Sequence, residues 1–553
     1  MTGYLEALGL NLSAQTQAGR IRHEVLSGAP WSPAPTTSVA YVAANRVLLV
    51  MDEGPGREAE AALGDRFLCY IAVTGGDDRP LAAPNAWKSP GLAVEGYLGR
   101  FTASLPGPDG GEEDRVGLGQ MMGIPNGLFD HVIDAGAEAL IGAAIKPPGY
   151  HHVGADPGRL DEAIGAVREL VGEFEKPRYF QYDPDICAHG RSGIEGCNRC
   201  LEACPTDAII SVGEQIEVNP YLCQGGGSCT ARCPSGAITY RYPPVEEQVE
   251  FLRRVCRDLR ERLGPREITL LVYDREHGGE TVAAAAQELP EHVIPLLVEE
   301  IGSVGPELLV CALAYGAGDI WLHVREEVPE QVRRSLEETA EFIRAVLHGS
   351  GLDHCSVRLT ASLDPVLASV PEETGRDAVA TFAAAGGKRS MLRNALRHLV
   401  QGAASAGPAP LPAGSPFGQV ILDSEAGTLC MGCVSVCPGN ALEAGGESPA
   451  LRFIESNCVQ CGICTRACPE AALTLDPRFD PDDAATRSRT LKEEEPFRCI
   501  ACGKPFATVA MIDRMMEKLA GHWMFETPEQ RNRLRMCEDC RVADLYDRKD
   551  MIG

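Results

Sequence analysis

Segments of two hydrophobic periods alternate along the chain. Near the start, VAYVAANRVLLVMD (from Val39) and DRFLCYIAVTG (from Asp65) gather β-branched and aromatic residues between Gly, Pro and Asp. This predicts strands of an α+β domain over 1–178, behind a Pro-rich lead-in, APWSPAP, at Ala29. Residues 159–175, RLDEAIGAVRELVGEFE, space their apolar positions as a helix does. Over 245–365, EEQVEFLRRVCRDLRERL reads as an amphipathic helix, ITLLVYD as a buried strand, and PELLVCALAYGAGDIWLHV as a helix then a strand. That alternation predicts a small, parallel, flavodoxin-like α/β domain. A helical stretch from Lys388 to Val400 and an Ala/Pro/Gly-rich linker from Ala403 to Pro416 occupy 366–416.

In the two remaining stretches, 179–244 and 417–480, cysteine supplies the pattern. Fourteen of the 22 cysteines form four runs closed by Cys-Pro: Cys187…Cys197-x2-Cys200-x3-Cys204, Cys223-x5-Cys229-x3-Cys233, Cys430-x2-Cys433-x3-Cys437 and Cys458-x2-Cys461-x2-Cys464-x3-Cys468. The last run has the spacing of bacterial two-cluster ferredoxins, in which the cysteine before proline ligates the other cluster. That exchange gives two complete sets, Cys187, Cys197, Cys200, Cys233 and Cys437, Cys458, Cys461, Cys464, each expected to bind [4Fe–4S]. Cys187 is carried by an enlarged loop, AHGRSGIEG. The other sets have three thiolates: Cys204, Cys223, Cys229, with Gly226 where a fourth is expected, and Cys430, Cys433, Cys468, with Gly427 there. Such a site can hold [3Fe–4S], hold [4Fe–4S] with an oxygen ligand (Asp423, Ser424 or Glu425 in the second case), or stay empty. The doubled motif makes an internal repeat of two modules flanking the α/β domain.

Two further pairs, Cys499-x2-Cys502 and Cys537-x2-Cys540, predict a zinc-ribbon-like tail over 494–553 holding one zinc, with rubredoxin-type iron as the alternative. Between them, TVAMIDRMMEKLAGHW carries a methionine stripe expected to be core. Isolated Cys69, Cys256, Cys311 and Cys355 read as buried small hydrophobes. His151 and His152 read as a surface or turn pair. His189, two residues after Cys187, either tunes a cluster sulfur or packs its loop. No Walker loop, nucleophile elbow or HExxH motif occurs.

At 553 residues the chain needs several domains. A net charge of −27 disfavours nucleic acid and anionic membranes, and suits a basic docking patch on a protein partner. No apolar stretch reaches the ~18 residues of a membrane span, and the start lacks a basic region followed by an apolar one. Metal-ligand cysteine spacing in a chain this large points to a reducing cytoplasm.

The runs EFEKPRYFQYDPDICAHGRSGIEGCNRCLEACPTDAI, LCMGCVSVCPGNAL, NCVQCGICTRACPEAAL, CIACGKPFAT and MCEDCRV resemble bacterial multi-cluster proteins of the 4Fe–4S ferredoxin type, over most of the chain from about 170 onward. Members occur with molybdenum- or tungsten-dependent formate dehydrogenase systems, so the resemblance implies electron transfer beside such an oxidoreductase. PLLVEEIGSVGPELLVCALAYGAGDIWL resembles the delta subunit of methyl-viologen-reducing hydrogenase, but Val298-Glu299-Glu300 and the Trp321 region stand where its cysteines would be. The expected architecture is α+β multidomain, and the expected function is a relay of single electrons between a redox enzyme and an acceptor. The alternative is an accessory, docking or assembly factor for a metalloenzyme, its clusters structural or sensory. Catalysis at an open three-thiolate cluster is a third reading.

Overall fold

The computed structural model describes residues 3–31, 37–75, 78–107, 114–265, 267–371, 379–383, 385–401, 407–446 and 448–547. Residues 32–35 of the Pro-rich lead-in and 403–406 of the expected linker lie outside it.

Ile268–Asp274, apolar except at its ends, forms an inner strand of a four-stranded parallel sheet. It pairs with Val293–Val298 on one side and Ala317–His323 on the other, and Ser356–Thr360 follows at the edge. Strands covered on both faces lose the polar alternation, which is why this run is apolar throughout. Helix Val245–Leu263 buries Val249, Leu252, Val255, Cys256 and Leu259, has Glu246 and Glu247 in its first turn, and ends at Gly264, φ 80°. The basic residues Arg260 and Arg262 in its last turn complement the helix dipole.

Residues 3–31 pack on this middle sheet, which takes them out of the 1–178 unit. Helix Gln17–Gly28 lies against Val245–Leu263. The Tyr4 hydroxyl donates to Pro295 O at 3.0 Å and accepts from Leu297 N at 2.8 Å. Buried Arg22 donates to the carbonyls of Leu289, Pro290 and Val293.

In the N-terminal sheet, Tyr150–His152, His131–Asp134, Arg46–Val50, Leu68–Thr74 and Ala86–Ser89 are parallel neighbours. Helix Glu53–Leu63 crosses between the first and second strands in chain order of that core, making an α/β arrangement rather than the expected α+β one. The helix expected over 159–175 is Pro157–Glu169; Gly172, φ 137°, then starts strand Gly172–Pro177, antiparallel to Ser38–Ala43. The apolar spacing hid this break because Val171 and Phe174 continue it.

Each cysteine-rich module is closed by a strand pair, Phe180–Tyr182 with Ile238–Tyr240 and Gln419–Leu422 with Leu473–Asp476. The second extends past 480, since Arg489–Glu493 joins Ala450–Phe453. The described part of the linker is anchored: Ala409–Pro410 pairs with Arg478–Phe479, and Leu411 and Phe417 enter the middle core. Helix Gly387–Val400 packs on Pro306–Ala314. In the tail, helix Val509–Lys518 buries only Ile512, while Met511, Met515 and Met516 are half-buried, so the methionine stripe is not core. Among the described residues no helix is long and apolar enough to cross a membrane.

Candidate metal centres

The cysteine loops repeat one backbone conformation. Counting from the first cysteine of Cys458-Val459-Gln460-Cys461-Gly462-Ile463-Cys464, the third and fifth residues have left-handed φ, 55° at Gln460 and 79° at Gly462. Leu429 and Met431 have φ 55° and 59°, and Gly225 and Gly227 have 86° and 73°, at the same places. By this register Gly226 occupies the middle-cysteine position and Gly427 the first-cysteine position, so the two loops keep their shape with different cysteines missing. A second repeat follows each Cys-Pro. Asp207, Gly236, Asn440 and Ala471 all have left-handed φ, 50°, 78°, 49° and 49°. That turn aims the next amide at the sulfur: Ala441 N donates to Cys437 Sγ at 3.2 Å and Ala472 N to Cys468 Sγ at 3.3 Å. N–H donors of this kind stabilise thiolate and cluster-sulfur charge.

In the second module, Cys437, Cys458, Cys461 and Cys464 line one cavity with Val420, Phe453 and Leu475. Cys430, Cys433 and Cys468 line another, with Gly427, Leu451 and Glu470 in its wall. The three-thiol cavity has not collapsed around the missing side chain. Burial pushes Cys461 and Cys433 up to about 11, with neighbouring thiols adding to the rise. Such thiols stay protonated until a cation replaces their protons, which suits a metal-cluster cradle.

In the first module, Cys200 is raised by burial and then by Cys233, Cys197 and Cys187; Cys229 is raised by burial, then by Cys204 and Cys223, and after them by Cys200 and Cys233. The enlarged loop before Cys197 is a hairpin, Gly190–Arg191 with Ile194–Glu195, turning at Ser192 and Gly193. His189 spends both ring nitrogens on oxygen, Cys197 O at 3.1 Å and Ser211 Oγ at 2.7 Å, so it packs the loop. Cysteine sulfurs instead meet Thr206 Oγ1 (Cys204, 3.4 Å) and Gln460 Nε2 (Cys458, 3.3 Å).

Surroundings separate the two three-thiol sites. Around Cys223, Lys176 Nζ donates to Tyr221 O at 3.0 Å and Cys223 O at 2.5 Å and lies 4.9 Å from the Tyr41 ring; burial lowers it to about 8. Tyr97 stacks on Tyr221 at 4.4 Å. The middle domain closes the other side: a Cβ on Gly302 would lie 2.2 Å from Gly226 O, and one on Gly227 2.5 Å from Ser303. Cys430, by contrast, is exposed. Asp423, named above as a candidate oxygen ligand, caps its own turn by accepting from Glu425 N and Ala426 N. The cavity wall instead holds Glu470, whose carboxylate takes Arg514 at 2.9 Å and Lys518 at 2.7 Å from the tail helix. Sequence spacing missed Glu470 because it follows Cys-Pro, where no ligand is expected.

In the tail, Cys499, Cys502, Cys537 and Cys540 bring four sulfurs within 4.8 Å of one another. Cys502 and Cys537 are 3.7 Å apart, close to the ~3.8 Å edge of a tetrahedron with metal–sulfur bonds of about 2.3 Å. Burial opposes ionisation of Cys499, but N–H groups of Cys537, Cys502 and Ala501 bring it down to about 6. The first pair sits in hairpin Pro496–Arg498 with Pro505–Thr508; the second opens helix Glu538–Asp547. One half of the site is therefore ribbon-like and the other helical.

Cys69, Cys256, Cys311 and Cys355 are all buried in hydrophobic clusters. His151 and His152 lie half-buried on an edge strand rather than in a turn, with His152 Nε2 2.8 Å from Gly136 O.

Comparison with known proteins agrees with this geometry. Family profiles described as "4Fe-4S dicluster domain" match residues 180–257 and, in two overlapping placements, 427–472 and 457–507. The ferredoxin of Alicyclobacillus acidocaldarius subsp. acidocaldarius is 34% identical over 55 residues, 10% of this chain and 70% of that protein. A protein named "Ferredoxin 7Fe" from Hydrogenibacillus schlegelii is 33% identical over 55 residues, with the same coverage.

Proposed function

Because the chain belongs to the ferredoxin family, we propose that it relays single electrons between a redox enzyme and an acceptor through clusters in both modules. Cys187, Cys197, Cys200 and Cys233 hold one [4Fe–4S] cluster, and Cys437, Cys458, Cys461 and Cys464 the other. The three-thiol sets Cys204, Cys223, Cys229 and Cys430, Cys433, Cys468 each hold a further cluster, of the [3Fe–4S] type or with a non-thiol ligand. The observation that carries this is the pair of similar cavities in the second module, one lined by four thiols and one by three. A relative whose name gives seven irons supports it, since a four-iron and a three-iron cluster sum to that number. The clusters supply reversible one-electron chemistry. The protein supplies thiolates, amide donors such as Ala441 N and Ala472 N, and apolar walls that set how each charge state is stabilised. The four tail cysteines hold a zinc ion that folds the tail.

The charge of −27 favours a basic docking patch on the partner, and we place the protein in the cytoplasm beside a molybdenum or tungsten oxidoreductase such as a formate dehydrogenase. Iron and sulfide analysis with EPR-monitored reductive titration tests the reading. About fourteen to sixteen irons per chain, reversibly reduced by a low-potential donor, are expected; about eight would sink the three-thiol clusters, and clusters inert to donor and acceptor would sink the relay.

One observation favours the docking-factor reading as a second function of the tail. Trp523 and Tyr546 are 70% and 82% exposed there, apolar surface suited to a protein partner.

A further inference from the structure

The modules meet at their four-thiol ends. Ile463, beside Cys464, lies where a Cβ on Gly196, beside Cys197, would be 2.6 Å from it. Arg466 donates to Glu195 O, and Arg199 reaches Gln460 O at 3.5 Å and Ser415 O at 3.4 Å. The three-thiol sites lie at the far ends, one under the N-terminal and middle sheets and one under the tail.

Two consecutive residues of helix Gly387–Val400 fasten this seam. Lys388 Nζ donates to Thr230 O at 2.6 Å and Ala231 O at 2.7 Å, at the end of the first module's helix Ser228–Arg232, and sits 3.5 Å from Glu307 of the middle domain. Arg389 spans both modules. Its guanidinium donates to Cys458 O at 2.6 Å and Ser456 O at 2.8 Å in the second, to Pro234 O at 3.4 Å in the first, and to Pro416 O at 2.8 Å, with its face 4.4 Å from the Phe417 ring. Cys458 belongs to one four-thiol set, and Pro234 follows Cys233 of the other.

We infer that Arg389 is a positioning residue for electron transfer: it clamps the two four-thiol sites into one central pair and lends both the same positive charge. This rests on the cluster assignment above. A cation between two sites that become more negative on reduction favours the reduced state of both. A backbone-bonded fork holds them in register in a way a single ammonium cannot.

The test compares the full-length protein with Arg389→Gln and Arg389→Lys, each checked for iron content. In the wild type the two reduced four-iron centres should give an EPR signal broadened and split by mutual spin coupling. Arg389→Gln should lose that splitting and move both midpoint potentials negative; Arg389→Lys should weaken the splitting with a smaller shift in potential. Should Arg389→Gln not fold, Arg466→Ala with Arg199→Ala loosens the same seam from its rim and should weaken the coupling. Full iron with unchanged splitting and potentials in the variants that fold overturns the inference and leaves the relay reading intact. A wild-type protein without iron would instead overturn the relay reading itself.

Discussion

The two three-thiol sites share a loop conformation and differ in almost everything around it. At the first, Gly302 presses on Gly226 O, the neighbouring Gly225 and Gly227 pack on Tyr179 and Ser303, and Lys176 bonds Cys223 O. At the second, a Cβ on Gly427 would lie 3.0 Å from Leu422 and 3.2 Å from Asp423 O, Lys492 Nζ bonds the Gly427 carbonyl, and Cys430 is open to water. Losing a cysteine from a cluster loop therefore has no single structural meaning. In one site the space is sealed between domains; in the other a thiol, Cys430, faces solvent.

The largest contrast is expected in packing. Gly302→Ala would drive a methyl into Gly226 O, a backbone atom that cannot move aside. It should lower unfolding free energy by about 3 kcal/mol, the upper range for overpacking. Gly427→Ala meets mainly the movable end of Leu422 and has no left-handed φ; it should cost under about 1 kcal/mol. Urea denaturation of both variants checks this, and equal losses would break the distinction. Next comes iron exchange. With a ferrous chelator under mild oxidation, the component lost first should be the one removed by Cys430→Ser, leaving at least about tenfold faster than the rest, a difference of about 1.4 kcal/mol in barrier. Uniform loss would mean that solvent reaches both sites alike.

A third contrast is in pH dependence. Burial, then Asp274, Glu276 and Glu299, raise Glu300, beside the Ile301–Ser303 turn that covers the first site, to about 8. The folded protein thus holds a proton that the unfolded chain releases above about 4.5, so stability falls as pH climbs through that window to about 8. Glu300→Gln should flatten the slope between pH 5 and 8 in urea midpoints. Glu470 at the second site is held low by Lys518 and Arg514 and stays charged over that window, so Glu470→Gln should leave the slope unchanged.

The thiol groupings were legible because a cluster loop is a local object: spacing fixes which sulfurs can converge, and Cys-Pro marks the exchange between loops. The middle sheet was legible for a similar reason, since ITLLVYD is a short apolar run of strand length with β-branched residues, as a doubly covered strand requires. Arg389 and Lys388 were not, because KRS in a helical stretch carries no mark of the carbonyls it meets about 70 and 155 residues away. The packing of Tyr4 on Pro295 was hidden too, as its apolar pattern suits any nearby sheet. Glu470 carried no mark either, because its partners Arg514 and Lys518 come from the distant tail helix.

The docking of residues 3–31 onto the middle sheet has a consequence for biosynthesis. Helix Gln17–Gly28 must wait for Val245–Leu263 and for strand Val293–Val298, with the N-terminal sheet and the first module emerging in between. At about 5–20 residues per second that wait lasts roughly 15–50 s. For roughly the last quarter of it Cys187 to Cys233 stand outside the ribosome with no Gly302 turn over them, so the first module's thiols are exposed before the domain that seals them exists.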